Sequence, residues 1–191
     1  MASELTLLVL GWLLGLVSSI TAGLVMFWLE GKREIRTEKL KQRREDTRLA
    51  RNWAKAGKKE GLRGFDLAGA NLSGKDLSGA DLEDTDFEGA RMWATNLSGA
   101  NLIGASFRRA VMRGVLFNKA NLHSADFTGA VVIESDFTEA NLRRARFRLV
   151  KRLERCIWRS ARVDETTEMN MELRLEIERQ LSPENAQQEI E

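Results

Sequence analysis

The sequence predicts an all-β repeat domain flanked by helices, and three observations lead there. A large apolar residue recurs every five positions from Leu62 to Phe147. Small residues dominate two positions before it, and Asp or Asn is common one position before it. Ahead of the repeat lie an uncharged run over residues 5–29 and a basic, helix-forming stretch, and behind it lies an acidic segment. The expected organisation is a transmembrane α-helix over 1–30, a basic helical linker and N-terminal cap over 31–60, the repeat domain over 61–163, and an acidic C-terminal helix with a disordered tail over 164–191.

The uncharged run would make a helix about 37 Å long at the usual rise. That suffices for a hydrocarbon core of roughly 30 Å, with some tilt. A cleaved secretory signal fits less well, because no basic residue precedes the run, the run is long, and Ser18-Ser19-Ile20-Thr21-Ala22 is a poor cleavage site. Lys32, Arg33, Arg36 and Lys39 follow directly, and nothing basic comes before. The positive-inside rule then places the N-terminus outside and everything after residue 30 in the cytoplasm, with these four side chains at the membrane surface. Trp28 stands where an interfacial aromatic belongs. Gly11, Gly15, Ser19 and Gly23 recur every four residues and would line one helix face for packing against another helix.

Residues 30–60 are rich in Glu, Lys, Arg, Leu and Ala and contain no Pro, which favours helix. Residues 30–63 carry thirteen Lys/Arg against six Asp/Glu. Such a stretch could bind anionic lipid, bind nucleic acid through its phosphates, or serve as a solvated spacer. Ile35, Leu40, Leu49 and Trp53 form a sparse apolar series, of which Leu49 and Trp53 are expected to pack onto the next domain.

Period five then dominates. The series Leu62, Leu67, Leu72, Leu77, Leu82, Phe87, Met92, Leu97, Leu102, Phe107, Met112, Phe117, Leu122, Phe127, Val132, Phe137, Leu142, Phe147 is apolar throughout. Neither the helical period of 3.6 nor the strand period of 2 explains it. A chain that turns a corner every five residues does, with the large and the small residue pointing inward and three residues pointing out.

Segments such as Ala-Asn-Leu-Ser-Gly (70–74) and Ala-Asp-Phe-Thr-Gly (125–129) resemble the pentapeptide-repeat family over about residues 61–150. The resemblance implies a right-handed quadrilateral parallel β-helix with four repeats per coil. Its regular part would stand about 22 Å tall at the spacing of neighbouring strands. Both ends would be open edges needing cover, and the helix ending near Lys59 is the expected N-terminal cover. Past Phe147 the register slips by one: Leu153, Trp158 and Val163 continue the spacing, with Cys156 as a small inward residue.

Four repeats per coil stack residues twenty apart on one face. Arg91 and Trp93, Val111 and Arg113, Val131 and Ile133 therefore share a face, outward of Met92, Met112 and Val132. An exposed Trp, three β-branched residues and two Arg are the composition of a binding surface, unless the chain's own tail covers it. A second cluster is basic, with nine Arg/Lys against Glu154 over residues 143–163. It could dock an acidic partner, or pair with the acidic tail. In that tail Met169, Leu173, Ile177 and Leu181 favour a helix over 165–181, stopped at Ser182-Pro183.

The glycines and most of the Asp residues follow the repeat, so they belong to corners and not to a phosphate loop or an acid–base pair. One Cys and one His leave no disulfide and no evident metal set. The expectation is a non-enzymatic chain with no cofactor, no small-molecule substrate and no nucleic-acid partner. It would be a membrane-anchored protein–protein scaffold or assembly subunit of an integral membrane complex. The alternatives are a peripheral lipid-binding membrane organiser or, less favoured because both ends are basic, a DNA mimic acting on a topoisomerase. The resemblance suggests a cyanobacterial thylakoid or a bacterial inner membrane.

Overall fold

Parallel pairing at an offset of twenty residues builds the central part of this chain. In the computed structural model, which describes residues 2–57 and 61–181, the strands β1 (Arg91–Trp93), β2 (Val111–Arg113), β3 (Val131–Ile133) and β4 (Arg152–Glu154) form one parallel sheet in sequence order. The helix α1 (Ala2–Asn52) precedes the strands and α2 (Met171–Leu181) follows them. The chain divides into two units, Met1–Gln42 and Arg43–Glu191.

In the second unit, each twenty-residue coil makes four sides of five residues. Isolated parallel bridges such as Asp66 to Asp86, Asp76 to Asn96 and Asp81 to Asn101 tie the other three sides together. Every side repeats one exchange. The central residue donates its N–H to the coil below, as Leu67 does to the Asp86 carbonyl at 2.8 Å, and the residue before it donates to the coil above, as Asp86 does to the Phe65 carbonyl at 2.9 Å. Backbone groups of interior coils are thus satisfied within the stack, as burial demands.

The corners explain the rest of the repeat. After Leu67 the chain makes a four-residue turn closed by the Ala70 N–H to the Leu67 carbonyl at 3.0 Å, with Gly69 at φ 71°. A positive φ at the third residue is the type II requirement and favours glycine. The Asp or Asn before the central residue caps the same turn: one Asp126 carboxylate oxygen accepts the Thr128 N–H at 2.8 Å, and one of Asp76 accepts the Ser78 N–H at 3.0 Å. These side chains also form ladders between coils, Asn101 donating to Asp81 at 3.0 Å and Asn141 to Asn121 at 2.9 Å. Alanine fills most of the inward positions after the corner, where a small side chain fits beside the central ones.

Toward the C-terminal end the left-handed corner position often holds a residue other than glycine. Arg109, Lys119, Ser124, Glu134, Glu139, Arg144, Leu149, Arg155 and Ser160 all have φ between 49° and 60°. Ser160→Gly is expected to raise stability by about 0.5–1 kcal/mol, the left-handed strain relieved less the chain entropy of glycine. Thermal denaturation checks this; a lowered midpoint would show that the corner is not strained.

Within the coils the central residues stack into columns. Phe87, Phe107, Phe127 and Phe147 stack with ring centroids 5.0, 4.9 and 4.7 Å apart, and Phe117, Phe137 and Trp158 with centroids 4.9 and 4.4 Å apart. These spacings are the rise of a parallel coil, so ring stacking and backbone pairing reinforce each other.

Both ends of the coil stack are covered. At the N-terminal end the last turns of α1 stand in for a preceding coil. Ala50 and Trp53 are buried in the core, the Asp46 carboxylate accepts the Asp66 N–H at 3.0 Å, and Arg51 donates to the Asn71 carbonyl at 3.0 Å. Arg43 grips the Asp66 carboxylate with two nitrogens, both at 2.9 Å. At the C-terminal end the offset grows to twenty-one, Val132 facing Leu153, and then to twenty-two, Arg146 facing Glu168. The bridges therefore continue past Val163 to Glu168. Asn170 opens α2 by accepting the Leu173 N–H at 2.9 Å, and α2 buries Leu173 and Ile177 over the last coil. Gln180 completes the cover, accepting from the Trp158 N–H at 3.0 Å and donating to the Cys156 carbonyl at 3.2 Å.

The expected location is corrected by the structure. Among the described residues no helix is long and apolar enough to cross a membrane, which overturns the single-pass topology with its N-terminus outside, its cytoplasmic C-terminal domain, and its thylakoid or inner-membrane address. From Glu30 on, α1 carries Lys, Arg, Glu or Asp in every turn, a composition the hydrocarbon core does not accept. The side chains of Gly11, Gly15, Ser19 and Gly23 lie outside the described residues, as do residues 182–191 of the expected disordered tail. Lys32, Arg33, Arg36 and Lys39 are exposed on α1. Lys32 places its ammonium 3.7 Å from the centroid of the Trp28 ring, a cation–π pair within the helix.

Candidate protein-binding face

Along the sheet β1–β4 the inward position after the corner never holds alanine. The positive-φ residue there is Ala94, Gly114, Glu134 or Arg155. The inward residue after it is Thr95, Val115, Ser135 or Cys156, each larger than alanine. Thr95 is buried and satisfied, its hydroxyl donating to the Leu72 carbonyl at 3.0 Å. Cys156 is buried, and burial pushes its thiol up to about 11. It stays protonated at neutral pH and does not have the thiolate character that makes a cysteine reactive.

This side carries the six residues singled out by the sequence. They stand in two columns: Arg91, Val111 and Val131 in one, Trp93, Arg113 and Ile133 in the other, each paired in register with the next. Trp93 is 57% exposed and Val111 37%, while Val131 and Ile133 are half-buried. Trp93 is held at its backbone, its N–H donating to the Ser73 hydroxyl at 3.3 Å. Charge takes over lower on the sheet. Arg113 pairs with Glu134 at 3.1 Å, Arg155 reaches the same carboxylate, and Arg152 pairs with Glu154 at 2.9 Å. The Arg152 hydrogen bond holds the Glu154 carboxyl below its ordinary range. The described part of the tail does not cover the face: α2 packs on the end of the last coil, against Cys156 and Trp158.

Two neighbours of this face escaped the sequence reading. Leu116 and Ile157 are exposed and stand in line with Asn96 and Asp136, at the position where Asp or Asn is the rule. Their signal was available, since each breaks the polar pattern at that position of the repeat.

The basic cluster at the C-terminal end is partly neutralised by the chain itself. Arg148 pairs with Glu168 at 2.6 Å, Arg146 with Glu168 at 3.7 Å and Arg143 with Asp164 at 3.8 Å. Asp164 is held below its ordinary carboxylate range, first by the Thr166 hydroxyl. The acids used here precede α2 and belong to the last corner.

The sequence model described as pentapeptide repeats matches in eight copies, over residues 62–93, 95–131 and 117–151. The β-helix of this chain is a pentapeptide-repeat domain. The chain is similar to several solved structures. A pentapeptide-repeat protein of the cyanobacterium Cyanothece is 19% identical, covering 56% of this chain and 89% of that one, with a TM-score of 0.47. One from the Arabidopsis thaliana thylakoid lumen is 32% identical, covering 58% and 75%, with a TM-score of 0.47. A third, from the cyanobacterium Nostoc and described as involved in heterocyst differentiation regulation, is 22% identical, covering 56% and 65%, with a TM-score of 0.25. No curated protein matches the chain. The pentapeptide-repeat coil accounts for the Gly and Asp positions as turn chemistry, and among the described residues no group of His, Cys, Asp and Glu is arranged to hold a metal ion.

Proposed function

We propose that this pentapeptide-repeat protein is a protein-interaction module whose contact is the outer face of β1–β3. The observation that carries this reading is the exposed Trp93, set on a rigid sheet beside Arg91, Val111, Arg113, Val131 and Ile133. Tryptophan and arginine are enriched at binding hot spots. A rigid coil stack has already lost the conformational freedom that a flexible binder must give up on association. The outward position of β1 and β2 is free of the Asp or Asn that caps corners elsewhere, so these side chains are not needed by the fold.

The test is affinity capture of partners by the full-length protein and by the Arg91→Glu/Trp93→Ala variant, compared by quantitative mass spectrometry. The expected result is at least one partner retained by the wild type and depleted about tenfold or more with the variant, the scale of one hot-spot residue. Both side chains are exposed, so the variant should unfold at the wild-type midpoint. Equal recovery of every partner by both proteins would remove this face as the contact.

A further inference from the structure

A groove of about 1460 Å³ lies between the last coil and α2, bordered by β4 and outside the β1–β3 contact proposed above. Its two walls carry Leu149 and Leu175, and its rim carries Arg108, Arg146, Arg148 and Lys151. Three independent features single it out. Leu149 is 86% exposed, the most exposed large apolar residue among those described, and Leu175 across the groove is 57% exposed. Leu149 also sits at φ 49°, in the corner position held by Gly69, Gly89 and Gly129 in other coils of the same side. A branched side chain there carries both left-handed strain and exposed apolar area, and such strain concentrates at functional sites. Finally, the chain bulges beside it. Lys151 donates to the Ala130 carbonyl at 2.9 Å, as Val131 does to Ala110, yet it is Arg152 that pairs with Val131. Two residues thus stand opposite one, the arrangement that re-aims side chains at sheet ends and sites.

The charge of the lining selects the occupant. Seven cations line the groove, Arg108, Arg146, Arg148, Lys151, Arg152, Arg155 and Arg179, against four carboxylates, Asp126, Glu168, Glu172 and Glu176, with Glu134 and Glu154 pairing Arg155 and Arg152 from outside the lining, a surplus of one cation. Net positive walls around two exposed leucines suit a chain that is anionic and apolar at once. We infer that this groove docks an acidic peptide segment of a partner protein, with an aliphatic side chain seated between Leu149 and Leu175 and its carboxylates against the Arg/Lys rim.

Leu149→Gly gives a test that misfolding cannot mimic, because it removes the apolar wall while relieving the strained corner. The full-length protein is titrated by fluorescence anisotropy into a fluorescein-labelled peptide of Asp, Glu and Leu. A polyglutamate of equal length and a double-stranded DNA oligomer serve as competitors. The expected result is saturable binding of the Leu-containing peptide, weakened about tenfold by Leu149→Gly, the scale of one buried aliphatic contact. The variant's thermal midpoint should be equal to or above the wild type's. Absence of binding, or binding unchanged by Leu149→Gly, overturns the proposal. Competition by polyglutamate or DNA at the same concentration as the Leu-containing peptide also overturns it, since that marks a general polyanion surface. Loss of this binding leaves the β1–β3 face untouched, and the Arg91→Glu/Trp93→Ala variant should bind the peptide as the wild type does.

Discussion

Phe127→Ala is expected to lower the free energy of unfolding by about 3–5 kcal/mol, the range for deleting a buried phenylalanine. Phe127 is fully buried and stacks on Phe107 at 4.9 Å and on Phe147 at 4.7 Å. It also meets Phe117 and Phe137 edge-on, both at 6.1 Å. Among the described residues no other ring contacts four neighbours of its own column and of the facing one. The cavity left behind cannot close easily, because every wall is a backbone coil hydrogen-bonded above and below. In a stacked-repeat architecture each unit leans only on its neighbours, so the defect should also weaken the coupling between the coils on either side. Equilibrium urea unfolding measures the loss, and a broadened transition would report the weakened coupling. A loss below about 1 kcal/mol would mean that the column relaxes into the space and is not close-packed.

Ile177→Asp is expected to release the C-terminal cover, at a cost of about 3 kcal/mol or more, and to make the protein self-associate. Ile177 is fully buried on the inner face of α2, where a carboxylate would be cut off from water. Without α2 the last coil would present Phe147, Trp158 and a row of unpaired backbone groups, the template that open sheet edges offer to one another. Sedimentation velocity should show larger species whose share grows with concentration, while the wild type stays at its own size under the same conditions. If the variant keeps the wild-type sedimentation profile, the edge is protected by something other than α2. The Asp46 contact to the Asp66 N–H plays the matching part at the other end, where a side chain supplies what a missing coil would.

The extent to which these features could be read in advance varies along the chain. The repeat was legible because one physical requirement, a corner every five residues, recurs in every coil and writes itself into three positions at once. The docking stripe of α1 was legible only at Trp53. It runs through Arg43, Asp46, Ala50 and Trp53, two charged residues and two apolar ones, and charged residues read as solvated until their partners Asp66 and the first-coil backbone are in view. Leu49, grouped with Trp53 by hydropathy, is exposed. The C-terminal slips were half legible. Leu153 and Trp158 showed the first, but the second inserts a residue near the Asp164 turn, where the Asp164 carboxylate accepts the Thr166 N–H at 3.0 Å, and spacing alone could not place it. The membrane topology was a reading of hydropathy and flanking charge that the described helices do not support.

The amino-acid sequence by itself determined that this chain builds a pentapeptide-repeat coil, which residues fill it, and which six side chains share one outward face. Those properties follow from a short period, so they need only neighbours in sequence and a constant offset. Only the tertiary structure decided how the coil is closed, where α2 comes to rest, and that Leu149 and Leu175 face one groove. These depend on contacts between segments that share no period, and their partners are set by where the chain has room and unpaired groups once the coils are stacked.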